Sequence, residues 1–195
     1  RLNSTTVPDS LKFHAYYYQA ETFIRDGEYF KAIQLFNLIP ESHPEYVFAQ
    51  HSLAVSHALS DNLSLAIEAL DNTIQATPKT KAQEEIINRS FVFLGYIFYE
   101  GLGGQTRALS KAVSALRKVP STSYYYEDAL LGLAWCGLTA SQWTDCINAC
   151  NTIRSSSKKP IIHCEADLLE GYCNMVNKKY SEAFNIFTQA SKRIK

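Results

Sequence analysis

The feature that most constrains this chain is a period. Ala20 and Ala32 are followed 34 residues later by Ala54 and Ala66, and Pro44 by Pro78. Small or helix-breaking residues that return in one register mark a chain built from copies of one supersecondary unit. Such copies bury their apolar faces by stacking on one another. The 12-residue spacing of the small pair persists downstream as Ala134 to Cys146 and Gly171 to Ala183. In between, Gly95 and Ala112 stand 17 apart, and the excess is visible as Glu100-Gly-Leu-Gly-Gly-Gln-Thr-Arg107. Five units follow, near 13–46, 47–80, 88–126, 127–160 and 164–195, with residues 1–8 as a linker and 9–195 as one array.

Within a unit the pattern reads as two helices. The stretch from Phe13 to Phe23 is apolar on one face, and Asp26-Gly27 stops it. The stretch from Tyr29 to Ile39 has apolar residues at helical spacing, and Pro40 and Pro44 end it. Asp9 or Ser10 is placed to cap the first helix. The extra residues from Lys81 to Ile87 are expected to lengthen the next helix at its start. Where two helices of a unit cross, Ala or Gly lets the backbones approach, and Phe36, Leu70, Leu116 and Phe187 fill the space beside the crossing.

Composition narrows the function classes. With 19 basic and 19 acidic residues the formal charge is zero, which argues against nucleic acid as a partner. No apolar run reaches the ~18 residues of a membrane span. Eight Gly and six Pro are few for an all-β chain of this length.

The set Ala20, Tyr29, Ala32, Phe36 and Pro44 resembles the tetratricopeptide repeat family, in which small residues, aromatics and a closing proline stand at fixed offsets. Ala54, Ala66, Leu70 and Pro78 follow the same pattern, as do Ala134, Trp143 and Cys146, and then Gly171, Tyr180, Ala183, Phe187 and Ala190. The third unit departs most, through its glycine-rich insertion. The resemblance implies an all-α, right-handed α-solenoid of about five helix-turn-helix repeats. Two phrases, Leu38-Ile-Pro-Glu-Ser-His-Pro-Glu-Tyr46 and the run from Val119 to Trp135, are similar to bacterial cell-envelope members of the family. They point to the periplasm or envelope, with the cytoplasm as the alternative.

In that family ligands lie on the concave face made by the first helix of each unit. Carried over, those positions include Tyr17 and Glu21, Phe48 and His51, Tyr96 and Tyr99, Trp135, and Tyr172. The remaining carried-over positions are His14, Ile24, Val55, Ala58, Arg89, Val92, Asp128, Leu131, Leu138, Glu165, Leu168 and Met175. The Lys, Asn and Arg set with which co-chaperone members grip a C-terminal carboxylate is missing, since the key position reads Glu21, Val55, Tyr96, Trp135 and Tyr172. An aromatic, apolar groove suits a helix or extended apolar segment of a partner protein. The competing reading is that several of these rings pack between neighbouring units.

Catalytic and metal chemistry finds little support. All five cysteines lie between Cys136 and Cys173, and Cys146 and Cys150 share a helical face with His163 and Cys164 nearby in sequence. Yet Cys146 occupies the small-residue position and Cys150 the packing position, so buried packing is favoured over zinc or a disulfide. No His-Glu-x-x-His occurs, and Gly101-Leu-Gly-Gly104 lacks the lysine and hydroxyl residue of a phosphate loop. Neither a cofactor nor a catalytic residue is expected. Glycosylation-type triplets begin at Asn3, Asn62 and Asn88 and carry no function here.

The expected function is a non-catalytic scaffold or adaptor. The alternatives are a structural subunit of a homo-oligomer or envelope complex and, less favoured, the regulatory module of an enzyme. The fifth unit leaves Ile186 as a candidate exposed apolar residue beside Phe184, Phe187 and Ile194. That suggests either a longer native chain or self-association through the C-terminal repeat.

Overall fold

The structure is a computed structural model that describes residues 8–100, 106–156 and 160–193. The linker residues 1–7, the glycine-rich segment 101–105, Lys158-Lys159 and Ile194 lie outside the described residues. Ten α-helices and no strand occur among the described residues: α1 (Asp9–Arg25), α2 (Tyr29–Phe36), α3 (Tyr46–Leu59), α4 (Leu63–Gln75), α5 (Lys81–Glu100), α6 (Thr106–Leu116), α7 (Tyr126–Thr139), α8 (Trp143–Ser156), α9 (Pro160–Val176) and α10 (Tyr180–Arg193). The chain divides into two compact units, Arg1–Ser90 and Phe91–Lys195, with the division inside α5.

In the first unit α1 packs on α2, α2 on α3, and α3 on α4. The small residues Ala20, Ala32, Ala54 and Ala66 are all fully buried, with Phe36 and Leu70 buried beside them. One expectation at its start is corrected. Asp9 lies inside α1 rather than capping it, Pro8 holds the N-cap position without a side-chain bond, and the backbone N–H groups of Leu11 and Lys12 donate to the Pro8 carbonyl. Proline is at ease there because the end of a helix needs no N–H from it.

In the second unit the latter half of α5 packs with α6 and α7 around Val92, Ala112, Leu116, Val119, Ala129 and Cys136. A second cluster joins α7, α8 and α9 through Ala134, Cys146, Cys150, Ile153, Ala166 and Cys173. The glycines mark the closest approaches. A Cβ on Gly95 would stand 2.6 Å from the buried Leu116 side chain, and one on Gly137 3.0 Å from the Cys146 backbone nitrogen. Gly171 lies equally close against the Phe187 ring.

Two kinds of turn recur. The first closes a helix with one left-handed residue: Gly27 (φ 77°), Asp61 (φ 59°), Ser141 (φ 58°) and Lys178 (φ 60°). In each, the next residue's N–H reaches back to a carbonyl of the preceding helix. Glu28 donates to Phe23, Asn62 to His57, Gln142 to Gly137 and Lys179 to Asn174, at 2.8 to 2.9 Å. The second turn carries the chain from one helix pair to the next. Around Pro40, His43 N–H donates to Pro40 O, and Tyr46 N–H to His43 O. Around Pro120, Ser123 N–H donates to Pro120 O, and Tyr126 N–H to Ser123 O. Even the side-chain bond is shared, since Glu45 N–H donates to His43 Nδ1 as Tyr125 N–H does to Ser123 Oγ. The two sequence phrases singled out above are therefore one connector written twice.

Candidate protein-binding cleft

The residues expected to meet a partner fall into two groups, one in each unit. In the first unit, Tyr17 and Glu21 of α1 lie against Ser52 of α3, the helix that also carries Phe48 and His51. Tyr17 is half-buried, with its ring 6.1 Å from that of Phe36 and 5.3 Å from that of Tyr18. Burial pushes its phenol pKa up, and the carboxylates of Glu21 and Glu45 add to the rise. The Ser52 hydroxyl donates to Glu21, and His14 lies 3.1 Å from Glu45. Phe48 is half-buried. This edge is partly polar, and its rings mostly pack on their own unit.

His51 does not offer a surface to a partner. It is 3% exposed. Its Nδ1 lies 2.8 Å from Ser90 Oγ, and that hydroxyl itself donates to Ile86 O, so Nδ1–H is the donor of the pair. Burial, with Arg89 nearby, lowers its pKa to about 3, which keeps the ring neutral at physiological pH. The sequence register places it on a groove, but α5 covers it.

In the second unit the first helices bring a set of predicted residues together. α7 and α9 pack side by side. Trp135, Leu138 and Thr139 of α7 are three and four residues apart and share one helical face. Glu165, Leu168, Leu169, Tyr172 and Val176 do the same on α9, and Trp143 closes the end from the start of α8. Together these nine residues line an open cleft of about 730 Å³. Trp135 is 37% exposed and Tyr172 47%. Leu168 and Val176 are also exposed.

Tyr99 supports this cleft from α5. Its ring centroid is 6.5 Å from that of Trp135, and its hydroxyl lies 3.0 Å from Thr139 Oγ1. Tyr96 stands one turn earlier and donates to the Asp128 carbonyl at 3.3 Å. Burial pushes its phenol pKa up, and the carboxylates of Asp128, Glu165 and Glu100 add to the rise. In the sequence Trp143 stands only as the patterned aromatic of its unit. Its part in the cleft depends on α8 turning back at Ser141, which the pattern does not reveal.

Beneath the cleft α9 is held by ions. Asp167 is 2% exposed, and it accepts from Arg154 of α8 at 3.3 Å and from Arg193 of α10 at 2.5 Å. Arg154 also bonds Asn151 at 2.5 Å and pairs with Glu170.

Four of the five cysteines belong to the core, and Cys164 is half-buried. Cys136, Cys146, Cys150 and Cys173 are buried free thiols. Burial pushes Cys136 up to about 11 and Cys173 to about 12. The hydrogen bond with Cys150, then burial, raises Cys146 as well. Thiols this hard to ionise are poor nucleophiles and poor metal ligands at neutral pH. Among the described residues no group of three His, Cys, Asp or Glu side chains is arranged to hold a metal ion. Among them, too, no helix is long and apolar enough to cross a membrane.

Successive helix pairs with small residues at their crossings and two recurring turns define an all-α helical-repeat architecture. The tetratricopeptide repeat family model matches residues 14–46, which hold most of α1, all of α2 and the first connector. The whole chain shares its fold with a Podosopora anserina protein described as a kinesin light chain with nearly identical TPR-like repeats. Its TM-score is 0.65 at 12% identity, covering 96% of this chain and 97% of that one. A point variant of the same protein matches with a TM-score of 0.65 at 13% identity over the same shares. No curated protein matches the chain. Residues 14–46 thus match the tetratricopeptide repeat, and the chain as a whole is similar in fold to TPR-like repeats.

Proposed function

We propose that this protein is a non-catalytic interaction module that holds a helix or extended apolar segment of a partner protein in the cleft between α7 and α9. The observation that carries the reading is the exposure of Trp135 and Tyr172 side by side on a preformed apolar surface. Large aromatic side chains lose little conformational freedom on binding and are enriched among residues that dominate interface energetics. Helix-in-groove binding needs an apolar channel of this kind. An enzyme site would instead need convergent polar groups, and the cleft supplies mostly rings and aliphatic chains.

The test is capture from native extract by the purified chain and by Trp135→Ala/Tyr172→Ala. The expected result is loss of specific partners with a melting temperature changed by only a few degrees. Identical partner sets for both baits would place binding elsewhere. Self-association is a second reading. It is favoured by Tyr180 and Phe184, which are 64% and 70% exposed one turn apart on α10. A mass in solution that rises with concentration, and does so less for Phe184→Ser, would support it.

A further inference from the structure

The cleft between α7 and α9 is apolar except at one point. Of its nine lining residues Glu165 alone carries a charge, and the other polar one, Thr139, is engaged with Tyr99. Glu165 is exposed. The arginines of α8 and α10 are committed to Asp167 and Glu170 rather than to it.

A wholly apolar occupant would cover Glu165 and strip its water without replacing it, which is costly. A cation would replace that water. The same walls carry the rings of Trp135, Trp143 and Tyr172. Aromatic faces attract cations, and a guanidinium can stack on a ring while pairing with a carboxylate. About 730 Å³ accommodates a few side chains of a segment.

Resting on the protein-binding reading above, we propose that the bound segment carries a basic side chain, best an arginine, between apolar residues. Its charge pairs with Glu165, and its stem and flanking residues pack on Trp135 and Tyr172. The partner is thus a basic amphipathic segment, and Glu165 selects it over an acidic or purely apolar one.

The probe is a phage-displayed library of random peptides selected on the full chain, with each peptide's affinity then measured against variants. Peptides whose binding is lost in Trp135→Ala/Tyr172→Ala are the cleft ligands. They are expected to share a basic residue flanked by apolar ones. Changing that residue to Ala, or Glu165→Gln in the protein, should each weaken binding by about tenfold, and the two losses should not add. Glu165→Lys should reverse the selection toward acidic peptides. Cleft-dependent peptides without a basic residue, or unchanged binding to Glu165→Gln, would overturn this inference and leave the cleft as a protein-binding site. If no cleft-dependent peptide is recovered, the protein-binding reading falls and this inference with it.

Discussion

A left-handed backbone at Asp61, Ser141 and Lys178 costs each residue roughly 1 kcal/mol that glycine would not incur. Gly27 shows what the turn prefers, since it makes the same bonds at φ 77°. Replacing Ser141 by Gly is therefore expected to stabilise the second unit by a few tenths of a kcal/mol once the larger entropy of the unfolded glycine is counted. For a chain of this size that is a rise of about 1–2 °C in Tm by calorimetry. An unchanged or lower Tm would mean that the serine side chain offsets its strain. The opposite substitution tests the helix crossings. Gly171→Ala would drive a methyl into the Phe187 ring, and an overpacked core site loses about 1–3 kcal/mol. Urea denaturation of this variant should show the loss, and Gly171→Ala with Phe187→Leu should recover part of it.

At the scale of elements, the buried Asp167 carboxylate is the tie between α8, α9 and α10. Asp167→Ala leaves Arg154 half-buried with one partner fewer and is expected to cost about 3–5 kcal/mol, read as a lower urea midpoint. Replacing Arg193, which is more exposed, should cost less. None of this network was legible in the sequence, because its members lie 13 and 26 residues apart on three helices. What was legible follows from local rules. The small residues at fixed spacing mark the helix crossings, and Pro40 marks a connector. The register also places Trp135 and Tyr172 on matching faces of α7 and α9. The same register placed His51 on a groove, and there it failed. Register says which face of its own helix a residue occupies, but not that Ser90 of α5 would lie against it. The left-handed turns beyond Gly27 are harder to read, since Ser141 and Lys178 carry no backbone signal and Asp61 only the mild left-handed tendency of aspartate.

For the whole molecule, two facts combine into a test of where acid acts first. The chain has two tryptophans, Trp135 and Trp143, and both line the cleft in the second unit. The two histidines with lowered pKa, His51 and His57, both belong to the first unit, and burial is the main cause for each. A histidine whose folded pKa is about 3 binds its proton in the unfolded chain near pH 6.5 but not in the folded one. Stability from this neutral burial is whole above the unfolded value and falls as pH drops toward the folded one, by up to about 1.4 kcal/mol per pH unit. Between about pH 6.5 and 4.5 carboxylates are still mostly ionised. The first unit should therefore weaken there before the second. Repeat arrays allow such separation because their stability is a sum of local terms. Thermal melts at pH about 4.5 should then show helix loss by circular dichroism beginning below the tryptophan fluorescence transition, with the two closer together at pH about 7.5. His51→Asn keeps a donor toward Ser90 and removes the titration, so it should shrink the acid-induced gap. A single coincident transition at both pH values would show instead that the units melt as one body and that the proton on His51 is felt throughout the chain.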